Sequence, residues 1–254
     1  MGWDAERETV AAVNAPVTAA LVGAIDPGPG DLVLDLAAGT GDVAEAVAAR
    51  GASVIATDVS PAMVEAARRR GIEGAEHRVM DMQAIELPDE SVDAAVSRYG
   101  YMLIPDPALA LRETRRALRR GCPLAFATWA PAKRNPWATA YGPVLIERGL
   151  QEPPKPGEPG QFALGEPDRI EELVRGAGFE EVTIEEVPLE YRFPSWDEYR
   201  RVMNSLAASL RVTLAELDEE LRAEVDAAAR ERLARFLTAD GYVLPGVALV
   251  TSAR

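Results

Sequence analysis

Short apolar runs separated by helical repeats fill the first half of the chain. Residues 33–36, 53–58, 91–97 and 122–129 are near-continuous runs of Val, Leu, Ile and Ala, and 74–80 is a more mixed run that ends on Val79 and Met80. Runs of this length read as strands, mostly buried on both faces. Between them, 45–49, the stretch opened by Ser60-Pro61, and 106–119 with Leu109, Leu111 and Leu118 among its charges repeat at helical spacing; Gly121 stops the last. Strand–helix alternation predicts an α/β chain with a mostly parallel sheet. Ahead of it, Val13, Val17, Ala20, Leu21 and Ala24 share one helical face, and Asp26-Pro27-Gly28-Pro29-Gly30 breaks the chain. Residues 1–30 are therefore expected to form a helical cap, with Trp3 as a surface anchor. Past residue 130 the composition changes. Residues 131–165 are rich in Pro and Gly, 168–176 read as a helix and 182–187 as a strand, 194–239 look wholly helical, and 246–252 form a last strand. The expected division is a main domain of 31–193 and 240–254, with 194–239 inserted as a helical lid.

The turn after the first run carries the first chemical signal. Val33-Leu34-Asp35-Leu36 is followed by Ala37-Ala38-Gly39-Thr40-Gly41, small residues throughout, and then by a helical stretch. A strand, a glycine turn and a helix let a ligand come close to the main chain, and the helix start offers unpaired N–H groups. The second run ends on Asp58, where doubly wound folds place the acid that takes ribose hydroxyls. Together the two features point to a nucleoside-bearing cofactor without saying which. Ser60 reads as a helix N-cap with Pro61 at the first helical position. Ligands in open parallel sheets bind beyond the carboxyl ends of the strands, so Ser97, Arg98, Tyr99, Gly100 and Tyr101 frame the reaction centre. Asn135-Pro136-Trp137 and Tyr141 offer an aromatic wall.

Charge narrows the partners. A net charge of −14 argues against nucleic acid and anionic membrane, since both need a positive surface. Arg68-Arg69-Arg70 and the arginines between 115 and 120 read as solvated helix faces. One cysteine, Cys122, excludes an intrachain disulfide and fits a reducing compartment. With His77 as the single histidine, no metal-binding cluster is expected. No run of about 20 apolar residues and no basic-then-apolar leader is seen, so the chain is expected to be cytoplasmic.

Asp35-Leu36-Ala37-Ala38-Gly39-Thr40-Gly41 resembles the first motif of the class I S-adenosylmethionine-dependent methyltransferases, of the ubiquinone-biosynthesis-like, methyltransferase type 11 kind, with Ala37 where that family usually has glycine. Asp58-Val59-Ser60-Pro61-Ala62-Met63 resembles its second motif, and Asp81-Met82 its acid after the third strand. Leu87-Pro88-Asp89-Glu90-Ser91-Val92-Asp93 and Leu111-Arg112-Glu113-Thr114-Arg115-Arg116 are similar to the runs before its fourth and fifth strands. Order and spacing agree over residues 31–129. The resemblance implies a Rossmann-like, seven-stranded, mostly parallel sheet with helices on both faces and a helical lid inserted near the C-terminus. It implies S-adenosyl-L-methionine as cofactor, S-adenosyl-L-homocysteine as product, and Asp35, Ala37, Gly39, Gly41, Asp58, Val59, Met63, Asp81, Met82 and Ser97 as cofactor-binding residues. In this reading Met63 packs on the adenine, Asp81 accepts from its amino group, and the Met82 N–H meets a ring nitrogen. Tyr99 is the first choice for a catalytic contact, and Arg98, Tyr101 and Trp137 are assigned to the acceptor. The expected partners are a small-molecule acceptor and a second copy of the chain in a homodimer, with neither nucleic acid nor membrane.

Two other classes share the glycine turn. A nicotinamide oxidoreductase of the short-chain kind needs Tyr-x-x-x-Lys, and neither Lys133 nor Lys155 follows a tyrosine at that spacing. A phosphate loop needs Gly-Lys-Ser/Thr, which the chain lacks. A non-methylating protein on the same scaffold, such as a regulator or a cyclisation catalyst, stays open because fold does not fix function. For methyl transfer, an already activated sulfonium methyl needs alignment more than acid–base help, and holding the reactants in line supplies about 7–11 kcal/mol.

Overall fold

The computed structural model describes residues 6–155 and 157–254; Trp3 lies outside the described residues. Five strands, β1 (Leu32–Leu36), β2 (Ser53–Asp58), β3 (Ala75–Val79), β4 (Ala94–Arg98) and β5 (Leu124–Trp129), run parallel in the order β3-β2-β1-β4-β5. Helices α2 (Asp42–Ala48) and α3 (Pro61–Arg69) link β1 to β2 and β2 to β3, and α4 (Pro107–Ala117) links β4 to β5. The sheet continues through β8 (Gly241–Ala253), antiparallel to β5, and then β6 (Thr183–Phe193). β7 (Leu237–Thr238) pairs with β8, so among the described residues the sheet has eight strands, one more than expected. The extra strand is two residues long and closes a hairpin in which the Thr238 hydroxyl donates to the Gly241 carbonyl at 2.8 Å.

β1 shows why these runs are strands. Val33, Leu34 and Leu36 are fully buried, and so is Asp35 between them. Neighbours on both sides leave no face for water, so the apolar run is continuous rather than alternating. β1 pairs with β2 on one side and β4 on the other, which makes the gap between β1 and β4 the point where strand order reverses.

The chain divides into two compact units. One holds Asn14–Ala130, Gly157–Val187 and Ala248–Arg254; the other holds the chain through Val13, the stretch that begins at Pro131, and Pro188–Val247. In the first unit, the helix α1 (Arg7–Ile25) buries Val17, Leu21, Val22 and Ile25 beyond residue 13. α1 is long and apolar enough by composition to cross a membrane, which the reading of no such run had passed over. The difference arises because Asn14, Pro16 and Thr18 interrupt the apolar letters without lowering the mean hydropathy of the helix below that of a span. Asn14 is itself buried, and the Thr18 hydroxyl is hydrogen bonded.

The second unit is built on aromatic side chains. Among the described residues its helices include the start of α1, α5 (Tyr141–Glu147), α7 (Trp196–Leu206), α8 (Ala208–Glu216) and α9 (Glu219–Arg232); α6 (Pro167–Gly176) belongs to the first unit. The Asp226 carboxylate accepts from the Tyr141 hydroxyl at 2.7 Å and from Trp196 Nε1 at 2.8 Å, and the Trp196 and Tyr199 rings stack at 5.1 Å. Of the leucines 206, 210, 214 and 217, only Leu214 is buried.

Candidate active site

Three residues of the turn after β1 are left-handed: Ala37 (φ +54°), Gly39 (φ +56°) and Gly41 (φ +86°). For Ala37, the residue that departs from glycine, this conformation costs roughly 1–2 kcal/mol. The two glycines face different surroundings. A Cβ on Gly41 would meet Ile72 Cδ1 at 2.9 Å and Ala67 Cβ at 3.6 Å, so its missing side chain makes room for the protein's own packing. A Cβ on Gly39 would meet nothing within 4 Å. Gly39 is therefore where the main chain is open to a ligand. Both glycines are left-handed, so a valine strains the backbone at either. Gly39→Val is expected to weaken ligand binding and to lower the melting temperature modestly, whereas Gly41→Val, whose side chain also meets Ile72 and Ala67, is expected to lower the melting temperature more, as calorimetric titration and thermal unfolding of both variants will show.

Asp58 ends β2 and ties this turn to α3. One carboxylate oxygen accepts from the Gly39 N–H at 2.9 Å, the other from the Ser60 N–H at 2.8 Å. Ser60 caps α3, with Pro61 at its first position, and its hydroxyl accepts from the Met63 N–H at 3.4 Å. Met63 is half-buried on the first helical turn, and Val59 is 70% exposed. The Met80 N–H donates to the Asp58 carbonyl at 3.1 Å, which sets Asp81 and Met82 directly after this point. Asp81 is exposed and its carboxylate accepts from the Gln83 N–H at 2.8 Å, while the Met82 side chain is buried.

The strand β4 ends against the same turn. A Cβ on Gly100 would lie 2.7 Å from Ala37 Cβ and 2.6 Å from Ser97 Oγ. Ser97 is fully buried and its hydroxyl has no hydrogen-bond partner. Tyr99 is left-handed (φ +68°), a strained state for a bulky residue. The contacts that hold it include its N–H donating to the Ala127 carbonyl at 2.9 Å, its hydroxyl donating to Asn14 Oδ1 at 2.7 Å, and its ring stacking on Trp129 at 4.2 Å. Arg98 donates to Thr18 Oγ1 at 2.7 Å and to Asp42 Oδ2 at 3.0 Å.

Asp35 is buried beneath the turn with neither oxygen in a good hydrogen bond. Burial lifts its pKa to about 8, against the opposing pull of Arg98 and the Ala44 N–H. A carboxyl raised in the folded state binds a proton that the unfolded chain has already released, so stability falls as pH rises from about 4 to about 8. Asp35→Asn is expected to flatten this fall and to be the more stable protein at pH 8, as chemical denaturation across that pH range will show.

Two residues assigned to the acceptor are engaged elsewhere. Tyr101 is fully buried, shares a 2.7 Å hydrogen bond with Thr114 Oγ1, and packs on Phe126 at 4.9 Å. Trp137 lies in the aromatic unit, donates to Asn135 Oδ1 at 3.1 Å and stacks on Tyr191 at 4.1 Å. The reading of Arg68-Arg69-Arg70 as a solvated face needs correction at Arg70, whose side chain is only 15% exposed. It stands at the C-cap of α3, where the chain leaves the helix through left-handed Gly71, and it turns inward to Thr40 and Asp42. Sequence reasoning also passed over Asn14 and Asp42. Asn14 had a signal: it lies on the helical stripe of Val17 and Leu21, a polar residue at a core position.

The profile described as "Methyltransferase domain" matches residues 34–126. The ubiquinone/menaquinone biosynthesis C-methyltransferase UbiE of Acidiphilium cryptum is 32% identical over 178 residues, covering 64% of this chain and 71% of that protein. The demethylmenaquinone methyltransferase of Clavibacter sepedonicus is 39% identical over 100 residues, covering 39% and 41%. The chain spans about half, or less, of the length of the first curated relatives it matches. Among solved structures, the YcgJ protein of Bacillus subtilis shares the fold at 18% identity and a TM-score of 0.62, over 93% of this chain and 97% of that one.

Proposed function

Since the chain belongs to the class I S-adenosylmethionine-dependent methyltransferases, we propose that it transfers a methyl group from S-adenosylmethionine to an oxygen, nitrogen or carbon nucleophile of a small-molecule acceptor. The observation that carries this reading is the junction of β1 and β2, where Gly39 is open to a ligand and its N–H is held by the Asp58 carboxylate at 2.9 Å. The residues fit the cofactor. Each oxygen of Asp58 accepts one N–H and keeps a lone pair for a ribose hydroxyl. The buried Ser97 hydroxyl makes no hydrogen bond, and the Asp35 carboxyl makes none of good geometry.

When bound, the sulfonium cofactor supplies a methyl group already activated for in-line displacement. The chain's own work is then to bind and align. Asp58 takes the ribose, Gly39 admits the ligand to the main chain, and Met63, Val59, Asp81 and Met82 are assigned to the adenine end. Tyr99 remains the proposed contact at the reacting end, with Asn14 and Trp129 fixing its hydroxyl and ring. Arg98 is reassigned from acceptor contact to charge partner of Asp42, and Tyr101 and Trp137 to packing. The quinone-pathway names of the relatives describe those proteins; for this chain the proposal is a small-molecule acceptor met in the cytoplasm.

Calorimetric titration with S-adenosylmethionine, S-adenosylhomocysteine and NADH in parallel tests the reading. Micromolar binding of the first two and no heat from NADH is expected. Binding of NADH alone would replace methyl transfer by redox chemistry.

A further inference from the structure

We infer that Arg70 is a positioning residue that clamps the glycine turn in its ligand-ready form. The inference rests on the methyltransferase reading for its consequence, but its geometry stands apart from it. Gly39 and Thr40 are consecutive residues of a turn whose conformation is left-handed at 37, 39 and 41. The Gly39 N–H is held by Asp58, just ahead of α3. The Thr40 carbonyl is held by Arg70, at the other end of α3, through Nη1 at 2.6 Å. The segment from Asp58 to Arg70 therefore holds the turn from either side of α3, by a carboxylate on a donor ahead of the helix and by a guanidinium on an acceptor at its C-cap.

The rest of the Arg70 fork is used to fix the guanidinium itself. Nη1 also donates to Asp42 Oδ1 at 2.9 Å, and Nη2 donates to Glu45 Oε2. Asp42, 11% exposed, receives Arg98 on its other oxygen, so the carboxylate at the start of α2 joins the ends of α3 and β4. A planar fork satisfies several acceptors at fixed angles, which an ammonium cannot do. Ile72, two residues on, fills the space beside Gly41. Arg70 and Ile72 thus support the side of the turn that Asp58 does not reach. A turn held in this way before the ligand arrives has less order to gain on binding.

The test uses Arg70→Met and Arg70→Lys in the full chain, with hydrogen exchange of the cofactor-free protein and calorimetry with S-adenosylhomocysteine. Arg70→Met is expected to speed exchange of the amides of the 39–41 turn by about tenfold, to leave the β5 amides unchanged, and to weaken S-adenosylhomocysteine by about tenfold. Arg70→Lys, which keeps the charge without the fork, is expected to fall between, and it serves alone if Arg70→Met does not fold. Unchanged exchange in the turn, or exchange that rises equally in β5, would overturn the clamp. Failure of the wild-type protein to bind S-adenosylhomocysteine would instead strike the methyltransferase reading, and the exchange data would still decide the clamp.

Discussion

Asp58→Ala is expected to weaken S-adenosylhomocysteine binding by well over tenfold. The substitution acts twice. It removes the proposed acceptor for the ribose hydroxyls, and it releases the Gly39 and Ser60 N–H groups that the two carboxylate oxygens hold at 2.9 and 2.8 Å. A hydrogen bond to a charged group contributes about 1.5–3 kcal/mol, and about 1.4 kcal/mol is a factor of ten in affinity. Losing the ligand contacts alone therefore exceeds tenfold, and the loosened turn adds to it. Asp58→Asn separates the contributions. Its carbonyl still accepts from one backbone N–H, so the turn is partly kept while the charge is lost. Calorimetry of both variants, with thermal unfolding alongside, gives the comparison; wild-type affinity in Asp58→Ala would remove Asp58 from the site.

Gly100→Ala is expected to cost about 1–3 kcal/mol of stability, the usual range for forcing a methyl into packed space. Backbone strain plays no part, since Gly100 has an ordinary φ of −82°. The cost is contact: the new Cβ would lie 2.7 Å from Ala37 Cβ and 2.6 Å from Ser97 Oγ. The serine hydroxyl can rotate away, but the alanine methyl is fixed to the main chain. Ala37→Gly in the same chain is expected to recover much of the loss, because it deletes the obstructing atom. Alone, Ala37→Gly is expected to change stability little, with relief of the left-handed alanine offset by the extra freedom of the unfolded chain. A double-mutant cycle by chemical denaturation measures the coupling, and strict additivity would mean that the two loops do not constrain each other. The family's usual glycine at position 37 would thus carry its methyl here only because position 100 carries none.

The parallel part of the sheet was legible because each strand is an apolar run that ends at a turn with its own chemistry, as Leu36 runs into the 37–41 turn and Thr57 into Asp58. The later strands were not read to their full length. β6 extends to Phe193 although Glu185, Glu186, Pro188, Glu190 and Arg192 break its apolar pattern, and β8 begins at Gly241, ahead of the Pro245-Gly246 pair that reads as a break. Asn135 compensates within that stretch: its side chain accepts from the Val247 N–H at 2.9 Å and donates to the Val247 carbonyl at 3.2 Å, doing the work of a strand neighbour. In the site, residues next to the motifs were visible, and those that reach it from afar were not. Arg70 follows two other arginines, and only the fold shows which one leaves the solvent. Tyr99 could be placed at the end of β4, but its hydrogen bond to Asn14 joins residues 85 positions apart.

The chain passes between its two compact units after Val13, after Ala130, before Gly157, after Val187 and after Val247. During synthesis, then, neither unit is complete when the methyltransferase motifs have left the ribosome. β5 waits on Ala248–Ala253 for its antiparallel neighbour, and until they emerge its outer edge is an unpaired row of backbone donors and acceptors. Fragments cut at the profile boundaries, 34–126, would keep every glycine of the turn and yet leave that edge bare. They are expected to aggregate rather than to bind. The cofactor half of this protein is a module in sequence but not in folding.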